Sequence, residues 1–232
     1  MIQSVFERKE IKYLMVEPQM RALIDMLSDR IYSDEYGLTT ICSIYFDTPD
    51  YRLIRESIEK PMYKEKLRLR TYGTPKRDST AFVELKKKFD GIVYKRRETL
   101  PYEEAMRFLC FREKPSRWSQ IFSEIDWTLE HYGTLEPAMI LCYDRIAYRA
   151  FENDDVRITF DLNTRFRNYE LDLLKGTYGE RLMGDDELIM ELKISEAMPL
   201  WLSNALDELR IYPGTYTKYG NAYKRLLIGG SL

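Results

Sequence analysis

The amino-acid sequence predicts an α+β protein built on an antiparallel β-barrel, with a polar, cation-rich lumen and helices packed outside. Three observations predict it. At least six segments alternate with period two, apolar on one side and charged on the other. The charged sides are biased to Lys and Arg, with glutamate recurring only at Glu10, Glu84 and Glu191. The helical stretches between strands need apolar sheet surface to cover, which turns the charged faces toward each other. A sandwich with its charged faces in water is the alternative, and the cation bias counts against it.

Taken in order, residues 8–14 form a short strand with Arg8, Glu10 and Lys12 on one face. Glu17-Pro18 opens a helix with Met20, Leu23, Ile24, Leu27 and Ile31 as its buried stripe. Residues 41–47 are a β-rich run closed by Thr48-Pro49, and 50–59 a short helix. The strand at 63–72 sets Lys64, Lys66, Arg68 and Arg70 opposite Glu65, Leu67 and Leu69. Successive residues of one face lie roughly 6.5–7 Å apart, so the four cations make a self-repelling ladder unless an extended anion lies against it. A turn at 73–78 leads to a strand at 81–88, where Glu84, Lys86 and Lys88 oppose Val83 and Leu85. Asp90-Gly91 signals a hairpin into a strand at 92–100.

Pro101 and Pro115 then begin two helices, the second running through Trp118, Ile121, Phe122, Ile125 and Leu129. Strands resume at 138–149, with Tyr143 and Arg145 on one face, at 156–162, with Arg157, Thr159 and Asp161 on one face, and at 188–194, with Glu191 and Lys193. Pro199 starts a last helical region through Leu202, Leu206 and Leu209, and the tail at 217–225 carries further cations. No linker, repeat or low-complexity segment interrupts the chain, so residues 1–232 read as a single domain.

The net charge of −2 hides a concentration: thirteen cations against four acids between Lys60 and Arg97. Three cysteines with no CxxC pair fit free thiols in a reducing compartment. With no signal-peptide pattern at the N-terminus and no apolar run near the roughly 20 residues of a membrane span, the expectation is a cytoplasmic protein. A membrane partner stays open. A lone histidine, His131, disfavours a Ser-His-Asp triad, and the lack of a GxxxxGK[ST] loop disfavours a conventional nucleotide fold.

Five stretches together resemble the VTC domain, the polyphosphate polymerase domain of the vacuolar transporter chaperone type among the triphosphate tunnel metalloenzymes (CYTH-like). They are Glu10-x-Lys12-Tyr13, Ser43-Ile44-Tyr45-Phe46-Asp47-Thr48, Lys66-Leu67-Arg68-Leu69-Arg70-Thr71-Tyr72-Gly73, Phe82-Val83-Glu84-Leu85-Lys86 and Glu191-Leu192-Lys193. The resemblance runs from about Phe6 to Lys224. It implies a β-tunnel that binds triphosphate or polyphosphate, with Lys12, Arg68, Arg70, Lys86, Arg145 and Arg157 as catalytic phosphate ligands. Arg8, Lys66, Lys95, Tyr143, Lys193 and Lys218 join them in binding substrate, with Arg96 or Arg97 as the alternative to Lys95. Glu191 is the implied ligand of Mn²⁺ or Mg²⁺, and Glu84 is either a second one or simply the partner of a neighbouring cation. Where the wider superfamily opens with ExExK, this chain has Arg8-x-Glu10-x-Lys12. That departure favours the polyphosphate branch.

The function so implied is transfer of the ATP γ-phosphoryl group to a growing polyphosphate, with ATP and inorganic polyphosphate as partners and no nucleic acid. Alternatives are a tunnel triphosphatase acting on inorganic polyphosphate or nucleoside triphosphate, and a non-catalytic polyphosphate sensor. Lys87 and Lys88 read as solvated, and Lys76 and Arg77 as turn residues.

Overall fold

The computed structural model describes residues 9–90, 92–153, 155–195 and 197–229. Arg8, and Gly91 of the hairpin signal, lie outside the described residues. The chain packs as two compact units, each assembled from three separate stretches: one from within residues 1–40, 143–164 and 183–217, the other from within 41–142, 165–182 and 218–232.

In the first unit, β1 (Lys9–Val16) pairs antiparallel with β10 (Glu187–Ile194) and with the two-residue β11 (Pro213–Gly214). β10 pairs antiparallel in turn with β8 (Arg157–Arg167). The apolar faces of these strands, through Tyr13, Met15, Ile158, Phe160, Met190 and Leu192, pack with α1 (Glu17–Met26) and α5 (Leu200–Glu208) through Met20, Leu23, Leu202 and Leu206. Each such side chain contributes about 1.5–3 kcal/mol when fully buried. α1 is shorter than its apolar stripe suggested. It stops at Met26, and Ile31 instead begins β2 (Ile31–Ser33), whose partner is β7 (Glu136–Ala150).

In the second unit, β3 (Thr39–Asp47), β4 (Tyr63–Tyr72), β5 (Thr80–Phe89) and β6 (Ile92–Pro101) follow one another as antiparallel neighbours. Their apolar faces meet α3 (Tyr102–Phe111) and α4 (Gln120–Tyr132) in a core that includes Ile44, Leu67, Leu69, Val83, Leu85, Phe108 and Phe122. Asp47, fully buried at the end of β3, starts α2 (Arg52–Ile58): its carboxylate accepts from the backbone N–H groups of Leu53 at 2.8 Å and Ile54 at 3.0 Å. The cationic tail folds as α6 (Lys218–Gly229), an element the sequence reading did not assign. Its buried Tyr219, Ala222 and Tyr223 sit at i, i+3 and i+4, and the Tyr219 hydroxyl donates to Asp47 Oδ2 at 2.8 Å.

Counting also β9 (Glu180–Arg181), the hydrogen-bonded order is β11-β1-β10-β8-β7-β3-β4-β5-β6, with β2 on β7 and β9 on β8. With six helices among the described residues, this is the antiparallel α+β architecture expected from the sequence. The strand path is open-ended. One end is β11, where Pro213 has no N–H to donate. β8 runs five residues past its expected end, because Asn163 takes a left-handed conformation (φ 54°) that interrupts the alternation without ending the strand.

Candidate functional site: two carboxylate-centred cation clusters

In the second unit the charged ladder of β4 forms as the alternation dictates. Glu65, Leu67 and Leu69 are buried, while Lys64, Lys66 and Arg68 are half-buried on the other face. The register sets Arg68 directly opposite Glu84 on β5, and Glu84 opposite Arg97 on β6. Glu84 is 1% exposed and serves four cations. Lys95 Nζ lies 2.7 Å and Arg97 Nε 3.3 Å from Oε1, and Arg68 Nε 2.7 Å and Arg70 Nε 3.8 Å from Oε2. Burial pushes the Glu84 carboxyl up, but Arg68, Arg70 and Lys95 outweigh it and hold its pKa down at about 2.

Tyr45 on β3 completes this cluster. It is opposite Arg68 in register, its hydroxyl accepts from Arg68 NH1 at 3.2 Å, and its ring stacks on Tyr219 with centroids 4.5 Å apart. Burial raises the phenol pKa, yet Arg68, Arg70 and Lys66 bring it down to about 8.

The three consecutive cations of β6 are sorted by register. Lys95 and Arg97 share the face of Lys86 and Glu84, whereas Arg96 points to the helical side and pairs with Glu124 of α4 at 2.8 Å. The expectation that Lys87 is solvated is corrected: its ammonium lies 3.4 Å from the buried carboxylate of Glu65 and 5.6 Å from the Trp127 ring. A buried carboxylate on the apolar face needs a partner, and Lys87 is the cation in register with it. Arg77 in the turn pairs with Glu103 at 2.6 Å. Lys218 opens α6.

In the first unit the centre is Glu191 on β10, whose Oε1 lies 3.6 Å from Lys12 Nζ and whose Oε2 accepts from Arg145 NH2 at 3.2 Å. Register places Lys12 opposite Glu191, and Lys193 between Glu10 and Arg157. Arg145 is gripped bidentately by the buried Asp161, with Nε–Oδ1 2.5 Å and NH2–Oδ2 2.7 Å, and its guanidinium lies 5.3 Å from the Tyr143 ring centroid. Arg157 NH2 is 3.8 Å from Asp34. Burial pulls the Lys193 ammonium down, while Glu10 and Glu191 pull it up; the net direction is down.

A divalent ion of the kind the resemblance implies takes one or two carboxylates, with waters and phosphate oxygens completing the shell. Glu10 and Glu191 supply the two carboxylates: each lies 3.6 Å from the Lys12 ammonium. Glu84 does not. Its oxygens are taken by four cations, and a divalent ion there would have to displace or oppose them. Glu84 is thus the cation partner of the two alternatives. Among the described residues no three His, Cys, Asp or Glu gather as a metal cage.

A family model of the VTC domain matches residues 7–227. The chain belongs to the VTC domain family. Solved structures with the same fold include a putative adenylate cyclase from Bacillus halodurans, 16% identical with TM-score 0.55, covering 90% of this chain and 95% of that one. A putative adenylyl cyclase from Hippeastrum, described as having a dominant triphosphatase activity, is 17% identical with TM-score 0.54 and covers 96% of each chain. At such identities the likeness establishes the fold, an antiparallel sheet of the triphosphate tunnel type. No curated protein matches this VTC domain.

Within the VTC domain, six of the expected site residues gather in the first unit: Lys12, Tyr143, Arg145, Arg157, Glu191 and Lys193. Arg68, Arg70, Lys66, Lys86, Lys95, Glu84 and Lys218 belong to the second. Sequence reasoning did not assign Asp161, Glu10 or Tyr45 to the site, and offered Arg97 only as an alternative to Lys95. The signal for the first was present: an acid on the charged face of a strand, two positions beyond Thr159 and four beyond Arg157. Tyr45 gave none, because an aromatic in a β-run reads as core.

Proposed function

We propose that this VTC domain, acting as one domain, transfers the γ-phosphoryl group of ATP to the end of an inorganic polyphosphate chain and releases ADP. A terminal phosphate oxygen of the acceptor attacks the γ-phosphorus. The bond to the β,γ-bridging oxygen breaks, and ADP leaves with that oxygen. The acceptor oxygen is already ionised near neutral pH, so no general base is required, and catalysis reduces to holding donor and acceptor in line and stabilising charge. The observation that carries the reading is the Glu84 cluster, in which one buried carboxylate gathers three arginines, Arg68, Arg70 and Arg97, and one lysine, Lys95, on one strand face. Arginines suit phosphate oxygens bidentately, and lysines act as compact point charges.

In this reading Arg68, Arg70, Lys86 and Lys95 bind phosphate oxygens, as do Lys12, Arg145, Arg157 and Lys193, with Arg145 kept in place by Asp161. Mn²⁺ or Mg²⁺, held by Glu191 with Glu10, would supply charge neutralisation across bridging phosphate oxygens. ATP and inorganic polyphosphate are the proposed partners. No helix among the described residues is long and apolar enough to cross a membrane.

A second reading has water as the acceptor, motivated by the triphosphatase activity described for the Hippeastrum protein on the same fold. Incubation with ATP and Mn²⁺, followed by separate measurement of long-chain polyphosphate, ADP and free phosphate, decides between them. Polymer with stoichiometric ADP is expected. Free phosphate without polymer makes the protein a hydrolase, and tight polyphosphate binding without turnover makes it a sensor.

A further inference from the structure

Two aromatic side chains stand on the charged face of the second unit. Tyr72 closes β4 two positions beyond Arg70, on the same face, and Phe82 on β5 is opposite Arg70 in register. Their rings meet edge to face, with centroids 5.6 Å apart and planes at 85°. Neither packs in the apolar cores of the unit, and Tyr72 is 52% exposed. The pair is buttressed by the Glu84 cluster: the Arg97 guanidinium, 3.3 Å from Glu84, lies 3.8 Å from the centroid of the Phe82 ring. Beyond Tyr72 the chain turns away at Gly73 (φ 69°), where a Cβ would meet nothing, so space is open beside the end of β4. A single exposed tyrosine needs no explanation. A ring held edge-on by a cation-stacked neighbour, one step from Arg70, is set to receive another planar group.

Resting on ATP as the phosphoryl donor proposed above, we infer that Tyr72, backed by Phe82, is the base subsite, where the purine ring stacks while the phosphates lie on Arg70 and Arg68. Successive residues of one strand face are roughly 6.5–7 Å apart. A ribose joins base to α-phosphate over a distance of that order, so a base on Tyr72 brings the α-phosphate to Arg70 and directs the rest of the chain toward Arg68. Stacking uses the π face that every base has and reads no hydrogen-bonding edge. The subsite thus favours a nucleoside triphosphate over an inorganic triphosphate, which has no ring to stack, and does not distinguish adenine from guanine.

The test measures binding by calorimetry on the full chain, with three probes: the β,γ-imido analogues of ATP and of GTP, and tripolyphosphate. Tyr72→Ala is expected to weaken both nucleotide analogues about tenfold. Its tripolyphosphate affinity should change less than about twofold, since the ring carries no charge, and this also reports that the arginines keep their places. Tyr72→Phe retains the ring and should stay within about twofold of wild type for all three. Tyr94→Ala removes a tyrosine of similar exposure, 47%, from β6, on the face opposite Lys95 and Arg97, and should change none of them.

Equal losses for nucleotides and tripolyphosphate in Tyr72→Ala, or no loss at all, overturn the base subsite. So does a loss in Tyr72→Phe as large as in Tyr72→Ala, which would make the hydroxyl the contact, or a loss confined to the ATP analogue. Polymer formation from ATP that is indifferent to Tyr72 overturns the subsite and leaves the proposed function standing. Nucleotide affinity that depends on the Tyr72 ring in a protein that makes no polymer overturns the function and leaves the subsite.

Discussion

Asp161 holds Arg145 in a two-point clamp, Nε–Oδ1 2.5 Å and NH2–Oδ2 2.7 Å, and the free side of the same guanidinium nitrogen reaches Glu191 at 3.2 Å. An acid with no exposed surface fixes an arginine, and the arginine fixes the carboxylate proposed to hold metal. Burial lowers the Arg145 pKa, but Tyr143, Asp161 and Glu191 outweigh it and the net direction is up, so the guanidinium is always charged. Removing Asp161 therefore strands a buried positive charge. Asp161→Ala is expected to cost about 3–5 kcal/mol in urea denaturation. A loss under about 1 kcal/mol would show that the clamp is not needed.

Glu84 makes stability depend on acid. Its folded pKa of about 2 lies below its ordinary value of 4.5, so its contribution is fully present above pH 4.5 and is lost as pH falls through 2. The shift corresponds to about 3 kcal/mol. Glu84→Gln should be less stable than wild type by that order at pH 7, and the gap should close toward pH 2. A gap that does not vary with pH contradicts the four-cation assignment.

Tyr45 offers a spectroscopic handle at the opposite end of the scale. Its folded pKa of about 8 lies below the ordinary 10, so ionised Tyr45 stabilises the fold most above pH 10, and that contribution is lost as pH falls through 8. Titration of phenolate absorbance should show one early tyrosine among the eighteen, absent in Tyr45→Phe. Ionisation also neutralises part of the Arg68 charge, so tripolyphosphate affinity should fall between pH 7 and 9 in wild type and less in Tyr45→Phe. No phenolate signal below pH 9 rules this out.

The two cation clusters should separate in mutants. Arg68→Ala/Arg70→Ala is expected to weaken tripolyphosphate binding at least tenfold and to slow turnover, since charge-assisted bonds of about 1.5–3 kcal/mol each are lost. Glu191→Ala should abolish turnover and the response to Mn²⁺ while changing anion affinity only modestly. Full activity in Glu191→Ala would remove it as a metal ligand.

The alternation of β4, β5 and β10 is legible residue by residue, because a strand's faces are fixed by parity and an apolar face must be buried. That alone determined the antiparallel α+β class, the shared face of Lys64, Lys66, Arg68 and Arg70, and the placing of Glu84 and Glu191 on charged faces. Parity cannot say which of Lys95, Arg96 and Arg97 share the face of Glu84, nor which carboxylate each cation meets. The register of β6 on β5 settled the first by setting Arg97 opposite Glu84. The second needed groups far apart in the chain: Arg145 meets Glu191 across 46 positions, and Tyr219 meets Asp47 across 172. Ion pairing depends on distance in space, which local patterning does not encode, so tertiary structure alone assigned Glu84 to cations and Asp161 to Arg145.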